Sequence, residues 1–207
     1  MADSLKGGGR MKRILHTFFA AVLLVVFLSG CGKVPPVEWE DLKEVTDSFT
    51  LEDAKDDGYV VMEDGDVTFG ENIWQNFVKL SAKKTPCKIR VVHYYTLGDP
   101  SHYDPAYYES IKDDYPAMYI LELVYDGNTF CVSHYEDDKL YQSEYKYLMR
   151  YEGKAETNRA IYSSYVRYVL VNDDKVTWDD IIHGMLSSRF GDYIPHRSIY
   201  TDLRFEE

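Results

Sequence analysis

The chain has 207 residues, 45% of them apolar and 28% charged, enough hydrophobic material for a buried core and too much for wholesale disorder. Thirty-five acids against 23 Lys and Arg give a net charge of −12, and residues 1–30 hold four bases and one acid, leaving −15 on the rest. A body that acidic is repelled by phosphate backbones and anionic head groups, which argues against nucleic-acid binding.

Residues 14–28 (ILHTFFAAVLLVVFL) form an apolar run behind Lys12 and Arg13. The run is shorter than the ~20 residues a membrane span needs, and it fits the h-region of a secretory signal. Met11, directly before Lys12-Arg13, is the expected initiator, with residues 1–10 an upstream leader. Leu28-Ser29-Gly30-Cys31 resembles the bacterial lipobox, and it falls at the h-region boundary, where a lipobox must fall. The alternatives are an ordinary signal sequence or an uncleaved anchor. The resemblance implies removal of residues 1–30 and attachment of diacylglycerol to Cys31. Two acyl chains anchor stably where one is marginal. The expected location is the extracytoplasmic face of the cell membrane, lipid-anchored, and nothing in the sequence chooses between two membranes where a cell has two.

Residues 31–48 contain Pro35-Pro36 and alternating acids without periodicity, and read as a flexible tether. One globular domain is expected over 49–207. Thr50 and Asp53 have capping-box spacing and open a short helix that Gly58 closes. Apolar residues at 59–62 and 67–69 flank Asp64-Gly65, a hairpin signal. In 73–82, Ile73, Trp74, Phe77, Val78 and Ser81 share one helical face, and Pro86 follows. Residues 88–96 alternate as a strand, with Ile89, Val91, His93 and Tyr95 toward the core and Lys88 and Arg90 away from it. Residues 118–135 are the clearest hairpin, turning at Asp126-Gly127 or one residue later, and either register puts Leu121, Leu123 and Tyr125 on the face of Phe130, Val132 and His134. Residues 145–152 and 165–171 read as further strands. Thr177 and Asp180 repeat the capping box, and Trp178, Ile181, Ile182, Met185 and Leu186 form the apolar stripe of a helix. The expected fold is α+β, a mostly antiparallel sheet of about five strands with two amphipathic helices packed on one face.

The stretch KIRVVHYYTLGDP (88–100), followed by LELVYDG (121–127), resembles a family of small lipoproteins of Gram-positive bacteria. Their domain of unknown function carries an IRIVRYT-x-EGDP-type strand and turn before a similar hairpin. The likeness covers about 54–135; this chain departs from it by the insert 101–117 and by lacking a later pair of cysteines. The resemblance implies location and fold and carries no catalytic residue.

Candidate chemistry is sparse. With Cys31 assigned to lipid, Cys87 and Cys131 remain. A bridge between them would contribute about 4 kcal/mol in a chain-entropy picture, but strand parity puts them on opposite faces, so two separate thiols are expected. No histidine or cysteine spacing matches a zinc site, and no calcium-loop pattern occurs, so no metal or cofactor is implied. His93 and His134 fall on inward faces of strands taken as neighbours and could meet; a buried hydrogen-bonded pair is the bland outcome. The paired aspartates suit turns and helix caps.

Tyrosine is abundant, 19 residues with 16 between positions 94 and 168. The insert contributes Tyr103, Tyr107, Tyr108 and Tyr115, beside His102 and Asp104. Exposed tyrosine gives rigid amphipathic contact area at low entropic cost. These six residues are the expected binding surface, for an envelope protein, peptide or glycan, in a protein that is not an enzyme. The alternatives are an envelope hydrolase with a His/Asp site, signalled by a pocket with convergent His and Asp, and an accessory subunit of an envelope complex, signalled by an apolar patch.

Overall fold

The computed structural model describes residues 39–45, 48–155 and 162–205, all within one compact unit, Val34–Glu207. The signal segment, Cys31 and the tether up to residue 38 lie outside the described residues. No described helix is long and apolar enough to cross a membrane.

The fold is α+β. The first sheet joins β1 (Val60–Glu63), β2 (Asp66–Phe69), β3 (Cys87–Tyr95), β4 (Ala117–Tyr125), β5 (Phe130–Glu136) and β6 (Lys139–Tyr145) in the order β2-β1-β3-β4-β5-β6. It is mixed, because β1 runs parallel to β3 while the other neighbours are antiparallel. The second sheet, β7-β8-β9, joins β7 (Tyr147–Lys154), β8 (Ser164–Val171) and β9 (His196–Arg204), all antiparallel. Four helices accompany them: α1 (Leu51–Asp56), α2 (Glu71–Ala82), α3 (Pro105–Ile111) and α4 (Trp178–Leu186).

Local chemistry explains most of these elements. Both capping boxes form, Thr50 with Asp53 at α1 and Thr177 with Asp180 at α4. Asp64 and Gly65 turn the β1–β2 hairpin at φ 52° and 91°, the positive values such a tight turn requires. Gly70 caps α2 at φ 81°, and a Cβ there would lie 2.9 Å from the Tyr59 carbonyl oxygen, so only glycine lets the helix start against β1. The β4–β5 register places Leu123 opposite Val132 and Tyr125 opposite Phe130, as the alternation implies. Val124 pairs with Cys131 on the other face, away from buried Cys87, and both thiols are free.

The architecture differs from a single five-stranded sheet under two helices. Residues 145–152 read as one strand, yet Tyr145 closes β6 in the first sheet and, after Lys146, Tyr147 opens β7 in the second. The two sheets face one another across the main core. There Trp74 of α2 stacks on Tyr200 at 4.7 Å and meets Tyr168 edge-on at 5.1 Å. The second amphipathic helix, α4, packs instead on the far face of the second sheet, with Ile181 against Val169 and Val171. The helices therefore lie on different faces, because two sheets provide more than one face to cover.

The other face of the first sheet is also covered. Ala54 of α1 packs there with Tyr59, Val61 and Val92, joined by Trp39 and Phe49. Residues 39–45, placed in the tether by the sequence, belong to this layer: Leu42 is buried and the Trp39 Nε1–H donates to the Asp57 carbonyl at 3.0 Å. This segment buries Arg90, which alternation had turned toward solvent. Arg90 is 2% exposed. Its Nε donates to Glu122, the residue opposite it in the ladder, at 3.0 Å, and its Nη1 donates to the Tyr59 hydroxyl at 2.7 Å. Its Nη2 donates to the Glu40 carbonyl, and its guanidinium lies over the rings of Trp39 at 5.3 Å and Tyr59 at 5.5 Å.

Replacing Arg90 with Met removes all of these contacts and leaves Glu122 and the Tyr59 hydroxyl without their donor. Urea unfolding should show a loss of about 3–5 kcal/mol for Arg90→Met. Arg90→Met with Glu122→Leu, which removes the orphaned charge as well, should recover part of that loss.

Candidate functional site

The insert brings Tyr103, Tyr107 and Tyr108 together and uses Asp104 to cap α3. Asp104 is the N-cap of α3 and its carboxylate accepts from the Ala106 and Tyr107 N–H groups at 3.0 and 3.1 Å, which occupies it structurally. His102 is exposed in a short 3-10 turn after Asp99. Tyr103 packs against Tyr107 and Tyr108 at centroid distances of 6.3 and 5.9 Å, with Tyr103 and Tyr108 half-buried and Tyr107 55% exposed. Tyr115 is exposed and near enough to Tyr95 to affect its titration. Cys31 lies outside the described residues.

The concave site lies at one end of the first sheet. Ladder pairs between β4 and β5 run from Tyr125↔Phe130 to Glu122↔Ser133 and end there. Beyond that point β4 continues with β3 to Ala117, and β5 continues with β6 to Glu136. The sheet therefore forks, and the facing edges of 117–121 and 134–136 form no ladder with one another. A cavity of about 1440 Å³ occupies this end and draws walls from both sheet faces, including Leu42, Phe49 and Ile120 on one side and Met62, His93 and Leu121 on the other. It is larger than the ~300–1,000 Å³ of common small-molecule pockets.

Its polar wall comes from both sheets. His93 and His134 both line it, but they stand on β3 and β5 with β4 between them, so the strands assumed to be neighbours are not. Neither histidine is hydrogen-bonded to the other. Tyr95 and Tyr119, 40% and 50% exposed, meet edge-on at 6.1 Å on the rim. The His134 ring stacks on its cross-strand neighbour Tyr141 at 5.0 Å.

Arg197 completes the wall from β9, an element the sequence did not signal. It pairs with Leu170, a core residue of β8, and cross-strand partners share a face, so Arg197 points between the sheets. Its charge acts on His93, Tyr95, His134 and Tyr145. Burial, with the Arg197 charge assisting, depresses His93 to about 4, against a hydrogen bond to the Ile199 backbone. Burial and Arg197 also lower His134, opposed by Glu136 at 3.7 Å. Both rings are therefore neutral near pH 7. His93 Nε2 is buried without a hydrogen-bond partner.

Acids gather at the mouth: Asp64, Glu136, Asp137 and Asp138. Asp64 is held by Thr96, accepting from its N–H at 2.8 Å and its hydroxyl at 2.5 Å. Among the described residues no cluster of His, Cys, Asp or Glu could hold a metal ion, and no histidine bonds a Ser, Thr or Cys side chain. The Cys87 thiol is pushed up to about 11 by burial. No family model, no curated protein and no solved structure matches this chain.

His93 makes stability depend on pH. Its folded pKa lies below the ordinary 6.5, so the unfolded chain takes up the proton first as pH falls. The stabilisation is complete above 6.5 and is lost between 6.5 and about 4, by as much as about 3 kcal/mol. Denaturant unfolding at pH 4.5 and 7 should show that His93→Gln removes most of this acid-side slope, leaving the smaller part from His134.

Proposed function

We propose that the chain is a lipoprotein anchored to the extracytoplasmic face of a bacterial membrane through Cys31, and that its domain binds a ligand non-covalently in the cavity at the end of the first sheet. The lipobox-like Leu28-Ser29-Gly30-Cys31 after a short apolar run supports the anchor, as does the likeness to small Gram-positive lipoproteins. The acidic body supports a partner other than nucleic acid or an anionic lipid surface.

The observation that carries the binding reading is the composition of the cavity wall. Exposed tyrosine rings flank a half-buried arginine and two histidines held neutral, a surface suited to recognition. The reading moves the site from the insert to the sheet end; Tyr115, beside Tyr95, is where the two adjoin.

A hydrolase is a second reading because His134 and Glu136 lie 3.7 Å apart at the cavity mouth, where a carboxylate-oriented base could stand. An accessory subunit draws on a different place: Met185, Leu186, Phe190 and Tyr193 leave an exposed apolar patch at the end of α4.

Two experiments test the proposal. Cys31→Ala should move the protein out of the membrane fraction, or leave it unprocessed, and abolish incorporation of labelled palmitate. Unchanged fractionation and mass would refute the anchor. For the domain, full-length protein in mild detergent is titrated with a panel of envelope peptides and saccharides. Tyr119→Ala should weaken binding at least tenfold, while Tyr103→Ala/Tyr107→Ala/Tyr108→Ala should leave it unchanged; the reverse pattern returns the site to the insert.

A further inference from the structure

Five Lys or Arg side chains among the described residues are buried or half-buried: Lys55, Lys88, Arg90, Arg167 and Arg197. Four have a carboxylate or an aromatic ring against them within the chain, although the Arg167 Nε is buried without an acceptor. Lys55 pairs with Glu52 and Glu63, and Arg90 pairs with Glu122. Lys88 lies over the Trp39 ring at 5.0 Å, and Arg167 lies over Tyr165 and Trp178 at 5.3 and 4.9 Å. Arg197 has no ion pair, hydrogen bond or aromatic-face contact among the described residues. In a chain with 35 acids, Arg197 stands half-buried in the cavity wall with no carboxylate to answer its charge.

The surroundings define what would answer that charge. The neutral His93 ring keeps its Nε2 buried at the cavity wall without a hydrogen-bond partner. Tyr95 and Tyr119 offer ring faces and edges. The fork offers two strand edges, 117–121 and 134–136, whose backbone groups form no ladder with each other. Strand edges of this kind recognise extended polypeptide. The acids at the mouth repel polyanions and leave room for a single negative charge.

We propose that the cavity captures the C-terminal end of an extended peptide: Arg197 takes the free carboxylate through its planar N–H fork, His93 Nε2 accepts from the last amide N–H, and the backbone behind it lies along the open edges of β4 and β5. The peptide lacks acidic residues near its end. This inference rests on the binding reading and names its ligand class. Arginine suits the carboxylate because its donors match both oxygens at once.

The test uses full-length protein in detergent and four probes: an N-acetylated trialanine with a free carboxylate, the same peptide as its C-terminal amide, methyl glucuronide and inorganic phosphate. Calorimetry and the arginine Nε–H resonances report binding. The free acid should bind at least tenfold more tightly than the amide, the glucuronide or phosphate, and should shift an Arg197 resonance. Arg197→Gln should abolish the preference for acid over amide, while Arg197→Lys keeps part of it. The thermal midpoint of Arg197→Gln without ligand should be no lower than that of the wild type, since the variant removes an uncompensated charge; a purely structural arginine would lower it.

Equal affinity for acid and amide, or an unaltered preference in Arg197→Gln, would overturn the inference. So would a glucuronide that binds as tightly as the peptide acid, which would make the ligand a sugar acid. Silence of the Arg197 resonance with every probe at roughly 10 mM, where even a millimolar site is mostly filled, would also overturn it. The broader binding reading fails separately. A panel ligand that binds wild type and Arg197→Gln alike, but not Tyr119→Ala, sinks the peptide-terminus inference and leaves the cavity as a binding site.

Discussion

Arg90 ties together pieces of chain that have little else in common. One guanidinium bonds a residue of the N-terminal segment, the tyrosine that leads into β1, and the acid opposite it on β4, while lying against two aromatic rings. A cation with that little exposure is tolerable only when it is well paired, and here each of its three nitrogens, Nε, Nη1 and Nη2, has an acceptor. The arrangement is cooperative: Trp39 is held by Asp57 and by Arg90, and its ring in turn shields the guanidinium from water. Residues 39–45 are consequently part of the folded domain. Leu42, Lys43 and Val45 from this segment line the cavity, so the interaction that closes one face of the sheet also builds a wall of the site.

The first sheet does two jobs along its length. At the Tyr125–Phe130 end its strands are fully laddered and pack against α2 and the second sheet, with rings of Tyr125 and Phe130 stacked at 4.4 Å. At the opposite end the same strands separate, and the residues that would have filled a core, His93, Tyr119 and His134, face a void instead. Stability is concentrated where pairing is continuous, and recognition is placed where pairing stops. The division costs the sheet the ladder bonds that 117–121 and 134–136 would otherwise share.

Local signals in the sequence were legible wherever they depended on neighbours in the chain. Both capping boxes, the Asp64-Gly65 turn, the apolar face of α2 and the residues sharing each face of the β4–β5 hairpin follow from spacing alone, while the register itself stayed open between two turns. Features decided by distant contacts were not. Arg90 sits on the polar parity of β3, and only Trp39, far away in sequence, turns that face inward. The strand β6 (KLYQSEY) is a polar edge with little burial beyond Tyr145, so it offers no hydrophobic alternation. The tyrosines of the insert drew attention by number; Tyr103 and Tyr108 are half-buried in a cluster with Tyr107, which with Tyr115 stays exposed. Arg197 was hidden because β9 does not keep a regular alternation: Ile199 and Tyr200, adjacent in sequence, are both buried.

That irregularity is a bulge. Tyr168 pairs with Tyr200 and Val169 pairs with Ser198, so Ile199 is an extra residue on β9 with no partner of its own. Counting back from it, Arg197 meets Leu170 and faces the gap between the sheets. If β9 paired regularly from Tyr200 onward, with no bulge, Ile199 would meet Val169, Ser198 would meet Leu170, and the arginine would come to lie opposite Val171, on the side of α4. The charge of the cavity is thus set by pairing register as much as by amino-acid identity. Deleting Ile199 would leave Arg197 opposite Leu170, whereas closing the bulge with the residue kept would take the guanidinium out of the pocket, a route by which a strand of unchanged composition could exchange one ligand for another.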